Sequence, residues 1–209
     1  YWCGFFVQAP WRTYVNYNDP RLIEKYYSQM KEWFKYVDKY KVDGLLKRWP
    51  DTKYRDWYLG DWLAPMGVDA GNQASVDLVS NCFISECLST MYKTAITLGK
   101  REEAEEFAMR REKLNKLIHQ TFYREDEGIY STGSQLDMCY PMLVGVVPDS
   151  LYNKVKENVV AMTEEKYKGH IAVGLVGVPI LTEWAVRNKQ VDFFYQMMKK
   201  RDYPGYLYM

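Results

Sequence analysis

The apolar positions of this chain follow a repeating two-part pattern. In DPRLIEKYYSQMKEWFKYVDKYK, residues Ile23, Tyr26, Tyr27, Met30, Trp33, Phe34, Val37 and Tyr40 recur three and four apart. That spacing gathers them on one face of a helix and leaves the charged residues on the other. Asp19 stands at the N-cap position, and Pro20 at the first helical position, where an absent N–H costs nothing. The segment before it, CGFFVQAPWRTYVNY, is apolar on nearly every side, so it is expected to be the more deeply buried of the two.

The same alternation returns three times. VDLVSNCFISECLSTMYKTAITLG is largely apolar and is ended by Gly99; the charged, amphipathic KREEAEEFAMRREKLNKLIHQ follows. SQLDMCYPMLVGVV is apolar and precedes PDSLYNKVKENVVAMTEE, with Pro148, Asp149 and Ser150 as its start signal. GLVGVPILTEWAV is apolar and precedes NKQVDFFYQMMKKR. The chain thus reads as four helix pairs, each a buried helix followed by a half-exposed one. Links of two to four residues within each pair make its members antiparallel neighbours.

The links between pairs are longer, at 42–73, 122–133 and 166–173, and antiparallel pairing brings them all to one end of the molecule. An inner ring of apolar helices inside an outer ring of amphipathic ones is an all-α (α/α)6 toroid, with four of the six hairpins present. Function is carried by loops on such a scaffold, so the long-link end is the expected functional face. Strand signals are weak; EGIYSTG (127–133) is the one stretch expected to form a short hairpin arm.

Composition narrows the partners. Lys and Arg exceed Asp and Glu by a single charge, which gives no electrostatic case for nucleic acid or an anionic membrane. There is no apolar run long enough for a membrane span. Residues 1–12 lack a basic leader and a cleavage site, there is no initiator Met, and the chain stops abruptly at GYLYM. The expectation is a segment, residues 1–209, of a longer catalytic domain truncated at both ends. Cys3, Cys82, Cys87 and Cys139 make no C-x-x-C pair and lie in apolar stretches, as expected of buried free thiols.

Several chemistries are missing from the sequence. It has no phosphate-binding loop, no dinucleotide fingerprint, no H-E-x-x-H and no G-x-S-x-G elbow. Its only histidines are His119 and His170, so no metal set and no cofactor is expected. What remains is aromatic surface beside carboxylates: 19 Tyr and 7 Trp in the chain, with three of the Trp and two of the Tyr in WPDTKYRDWYLGDWLAP (49–65). Sugar rings offer C–H faces that stack on Trp and Tyr, and hydroxyls that hydrogen-bond Asp, Glu, Arg and His. Trp49, Asp51, Tyr54, Arg55, Asp56, Trp57, Asp61 and Trp62 fit either one wall of a sugar site or a loop held together by its own rings. Asp69, Asn72 and Gln73 are placed to start an inner helix, where capping explains them. Asp137, in an otherwise apolar helix, is either a structurally paired carboxylate or part of a site. His170 sits at the loop end of an inner helix, His119 on an outer surface, and Glu183 with Trp184 in the core or the ring lining.

GDWLAP after the ring-rich loop, GHIAVGLVGVPILTEWA, YPGYLYM and the opening YWCGFFVQAPWRTYVNYNDPRLIEKYYSQMKEW together resemble, in order, the six-hairpin catalytic domain of bacterial α-L-rhamnosidases, glycoside hydrolase family 78. The resemblance runs across essentially the whole chain. It implies an inverting glycosidase that removes terminal α-L-rhamnose, with one carboxylic acid protonating the leaving oxygen and one carboxylate activating water. Such a pair stands roughly 6.5–9.5 Å apart to admit the water. In the family the acid lies in a segment before the part resembling residues 1–40, and the base in a Trp-Glu motif after the part resembling 203–209. Neither motif is in this sequence, so the general acid and base are expected outside it. The residues carried over are sugar-lining: Trp2, Asp61 and Trp62, with His170 and Trp57 as further substrate-binding candidates. The resemblance also implies a carbohydrate (rhamnoside) partner, flanking β-domains in the same parent chain, and a bacterial periplasmic, secreted or cytoplasmic location. Two other readings remain open at this point: a non-catalytic carbohydrate-binding scaffold, and a toroidal glycosidase of other specificity such as an unsaturated uronyl hydrolase.

Overall fold

The computed structural model describes residues 2–47, 60–65 and 72–208. Among these are eight α-helices in four consecutive antiparallel pairs: α1 (Phe5–Tyr17) with α2 (Arg21–Asp38), α3 (Gln73–Thr97) with α4 (Arg101–Phe122), α5 (Gln135–Leu143) with α6 (Asp149–Glu165), and α7 (Gly177–Arg187) with α8 (Val191–Met198). A single 3-10 turn, Trp2–Gly4, leads into α1. The odd-numbered helices also pack on one another, α1 on α3, α3 on α5 and α5 on α7, so they form the inner layer of an arc with the even-numbered ones outside.

The helix ends follow their chemistry. Helix α2 starts one residue later than expected, with Pro20 at the N-cap position; Asp19, two residues before the helix, accepts the Arg21 amide at 3.1 Å. Asn72 caps α3 by accepting from the amides of Ala74 and Ser75, at 3.1 and 3.3 Å. Ser134 caps α5 by accepting from the Asp137 amide at 3.1 Å. The links within pairs are tight, 18–20, 98–100 and 188–190, but 144–148 is longer than expected because α5 ends at Leu143 and the chain turns through Gly145 at φ 72°.

Two short hairpins decorate the long links. Lys41–Val42 (β1) pairs with Leu45–Leu46 (β2) across a turn whose Asp43 and Gly44 both have positive φ, the geometry an Asp-Gly pair favours. Buried Asn81 of α3 holds this hairpin by meeting both main-chain groups of Leu46, each at 2.9 Å. Tyr123–Arg124 (β3) pairs with Ile129–Tyr130 (β4), the arm expected around 127–133.

The core lies between the two layers. Trp184 is wholly buried and donates from Nε1 to the Met142 sulfur at 3.1 Å; Leu88, Met91, Ile118 and Tyr130 are buried around the same core. Two expectations about burial fail. Helix α1 buries only Val7, Gln8 and Pro10, while Phe5 and Tyr17 are 69% and 78% exposed. Its main helix contacts among the described residues are with α2 and α3. Cys3 is exposed, whereas Cys82, Cys87 and Cys139 are buried.

Truncating Trp184 to Ala is expected to destabilise the chain by about 3–5 kcal/mol, the range for emptying a large aromatic site. Met109→Ala, on the exposed face of α4, should stay within about 0.5 kcal/mol. Urea unfolding followed by far-ultraviolet circular dichroism reads both.

Candidate functional site

Three segments meet at the long-link end: 60–65, 168–177 and 200–208. Their meeting is organised by Asp61. Its side chain is only 3% exposed, and its two oxygens take three main-chain amides: Oδ2 that of Gly174 at 2.7 Å, and Oδ1 those of Val176 and Gly177 at 3.2 and 3.0 Å. These amides open α7, so a carboxylate from far along the chain closes the positive end of that helix. Burial pushes the Asp61 carboxyl up, and the three amides pull it back down. The next residue completes the joint: the Leu175 amide donates to Trp62 O at 2.8 Å.

The glycines of this joint are spaces that a side chain would fill. A Cβ on Gly174 would fall 2.0 Å from Trp62 O, and one on Gly177 2.8 Å from Asp61 Oδ2. GDW and G-x-x-G are therefore two halves of one structure, separated by 113 residues or more in the chain. Asp61 was expected to accept hydroxyl hydrogen bonds from a sugar; in the structure its oxygens accept three main-chain amides. Trp62 is different: its side chain is 45% exposed on a fixed backbone, so its ring is presented from a rigid position.

His170 is buried at 3% exposure, with Nε2 3.2 Å from Asp202 Oδ2. Nδ1 is buried without a partner, so the arrangement satisfies the tautomer in which Nε2–H donates to the carboxylate. Asp202 is held below the ordinary carboxylate range, first by its own backbone amide and also by His170. A second tie joins the C-terminal segment to the first: Tyr203 OH donates to Pro65 O at 3.2 Å. Around these ties Tyr203, Tyr206, Tyr208 and Leu175 are exposed, giving this end an aromatic surface.

Asp137 proves structural. It is fully buried, accepting from Ser75 Oγ at 2.7 Å and from Thr132 Oγ1 and N at 2.6 and 3.1 Å. Burial raises its pKa, and these donors oppose the rise. His119 is half-buried rather than on the surface: it stacks on Tyr123 and places Nδ1 2.7 Å from Tyr130 OH, while burial lowers its pKa. Glu183 is exposed and paired with Arg187. Trp2 stands in the turn before α1. Trp57, Trp49, Asp51, Tyr54, Arg55, Asp56 and Asp69 lie outside the described residues.

Gln135 escaped the sequence reading. It is buried at the start of α5, where Nε2 donates to His170 O and Thr163 Oγ1, each at 3.0 Å, and Oε1 accepts the Ala172 amide at 2.8 Å. With Asp61 it grips the 170–177 segment at both ends. The available signal was a lone amide side chain opening an apolar helix. Among the described residues no group of three His, Cys, Asp or Glu side chains could hold a metal, and no helix is long and apolar enough to cross a membrane.

An arc of helical hairpins, with its long links gathered into one aromatic face, is the architecture of the toroidal glycosidases. Residues 1–209 match the family described as bacterial alpha-L-rhamnosidase 6 hairpin glycosidase domain, and the chain belongs to that family. Proteins named alpha-L-rhamnosidase from Alteromonas sp. (strain LOR) and Formosa agariphila are each 24% identical to it over 99% of its length, and it covers 22% of either one. A third so named, from Streptomyces avermitilis, is also 24% identical over 99% of the chain, which covers 18% of it. The chain therefore spans about a fifth of the length of these relatives. Among solved structures, the Streptomyces avermitilis alpha-L-rhamnosidase complexed with L-rhamnose superposes with a TM-score of 0.82 at 21% identity, covering 97% of this chain and 18% of that one. The alpha-L-rhamnosidase from Dictyoglumus thermophilum gives 0.85 at 21% identity, covering 97% and 22%. These likenesses establish the fold.

Replacing Asp61 by Asn turns an acceptor into a donor facing an amide. The expected loss is about 1.5–3 kcal/mol, the range for a hydrogen bond to a charged group. Urea unfolding measures it, and hydrogen exchange should speed up at the amides of 174, 176 and 177. Gly174→Ala should cost at least as much, because the new methyl meets main chain rather than a movable side chain.

Proposed function

We propose that the full-length protein carrying these residues hydrolyses terminal α-L-rhamnosides with inversion, and that residues 1–209 supply part of the wall and scaffold of its sugar site. Family membership and the names of the relatives support the reaction class. The observation that carries the site is Trp62, a half-exposed indole on backbone locked by Asp61 and Leu175, at the end where the long links meet. An indole carried on fixed backbone stacks on the C–H face of a pyranose at a smaller ordering cost than one on a free loop. In this reading Trp62 touches the sugar. Asp61, Gln135 and the His170–Asp202 pair are positioning residues that hold the 168–177 and 200–208 segments around it. The general acid and the base come from parts of the protein outside residues 1–209, roughly 6.5–9.5 Å apart across the sugar. Flanking domains of the longer parent chain complete the proposal.

Release of nitrophenol from 4-nitrophenyl α-L-rhamnoside by the full-length protein tests it. Trp62→Ala should lower kcat/KM by about tenfold or more, equivalent to about 1.4 kcal/mol of lost binding, with the larger part in KM. Asp61→Asn should lower kcat and raise KM together, in step with its loss of stability. Turnover of another aryl glycoside, with none of the rhamnoside, keeps the fold and discards rhamnose. Sugar binding without turnover on any glycoside favours a carbohydrate-binding scaffold.

A further inference from the structure

Residues along the inner helices α1, α3, α5 and α7 line a cleft of roughly 360 Å³. Its charges are unbalanced: Arg12, Lys93, Arg111 and Arg187 line it against Glu86 and Glu183. Both acids are already engaged, Glu183 with Arg187 and Glu86 with the Tyr140 hydroxyl at 2.7 Å. Arg12, Lys93 and Arg111 have no carboxylate partner among the described residues.

Arg111 is the unusual member. It belongs to the outer helix α4 but reaches between α3 and α5 to line this cleft and also the neighbouring cavity beside Gly145. One terminal nitrogen donates to Val144 O at 2.5 Å, while Nε is buried and bonds to nothing. Gly145 makes room for the guanidinium, since a Cβ there would come within 3.2 Å of it. Burial holds the Arg111 pKa below its ordinary value with no opposing charge to restore it. A partly desolvated cation gains from a counter-charge or further acceptors, and a guanidinium offers a planar fork that suits oxyanions.

We propose that this cleft is an oxyanion-binding site, with Arg111 as its anchor and Arg12 and Lys93 at its mouth. The oxyanion is either a carboxylate from a part of the full-length chain beyond these residues, or a free phosphate-class or carboxylate-bearing small molecule. The site stands on charge and geometry alone and does not depend on the sugar reading.

The test uses the full-length protein and inorganic phosphate, titrated against chloride at constant ionic strength while the thermal midpoint is recorded. A free-anion site gives a midpoint that rises and saturates, as mass action requires. Arg111→Met removes the saturating part, and Lys93→Met weakens the apparent affinity by about three- to tenfold. General salting effects do not saturate and act equally on all variants. An internal carboxylate gives no phosphate response; Arg111→Met then lowers the midpoint by several degrees, and a crystal structure of the full-length protein has a carboxylate within about 4 Å of Arg111. If Arg111→Met does not fold, Lys93→Met and Arg12→Met, both at exposed positions, carry the comparison. Equal phosphate responses in wild type and variants overturn the proposal. So does the absence of any response together with an Arg111 that meets no carboxylate.

Discussion

One carboxylate with three amides, Asp61 against Gly174, Val176 and Gly177, is the centre of the joint between two parts of the chain far apart in sequence. Remove it, and the α7 start has three unsatisfied donors in a buried place, each costing about 1–3 kcal/mol. The consequence reaches further than α7. The 168–177 segment also bears His170, which holds Asp202, and the segment around Asp202 returns through Tyr203 to Pro65. The three ties form a closed circuit, 60–65 to 168–177 to 200–208 and back. Displacing any one segment strains the other two.

Much of the scaffold was readable because helices write a 3.6-residue period into sequence. Stripes such as Ile23–Tyr27–Met30–Phe34–Val37 cannot be arranged for another structure, and all five are buried. The pairing followed from short links, and the meeting of 60–65, 168–177 and 200–208 at one end followed from the pairing. Burial of α1 was not readable. An apolar sequence states that a surface wants cover, but not whether the cover lies within the same stretch of chain. Phe5 and Tyr17 are both exposed.

At the site, residue types were easier to read than roles. GDW and G-x-x-G were each visible as motifs, yet nothing periodic says that residues 113–116 apart grip one another. A carboxylate among rings looks like a sugar ligand whether its oxygens face a cavity or a row of amides. Only the fold distinguishes them, and here it turns Asp61 inward and leaves Trp62 outward. Gln135 was not readable because a neutral amide carries no chemical signature; its importance comes from the three groups it joins, His170 O, Thr163 Oγ1 and the Ala172 amide. The β1–β2 turn, by contrast, announced itself in Asp43-Gly44 and was overlooked inside a long link.

The direction in which the inner helices run has an electrical outcome. Helices α3, α5 and α7 all begin at the long-link end, so the positive ends of three peptide dipole stacks converge there. Each favours a nearby negative group by about 0.3–1 kcal/mol at the surface. Side chains of Asn72, Ser134 and Asp61 satisfy some of the exposed amides, but two of these three caps are neutral and leave the field in place. Any carboxylate brought within a turn of these helix starts is thereby biased toward its ionised form. The bias is set by main chain alone, and substitution of surface side chains would leave it intact.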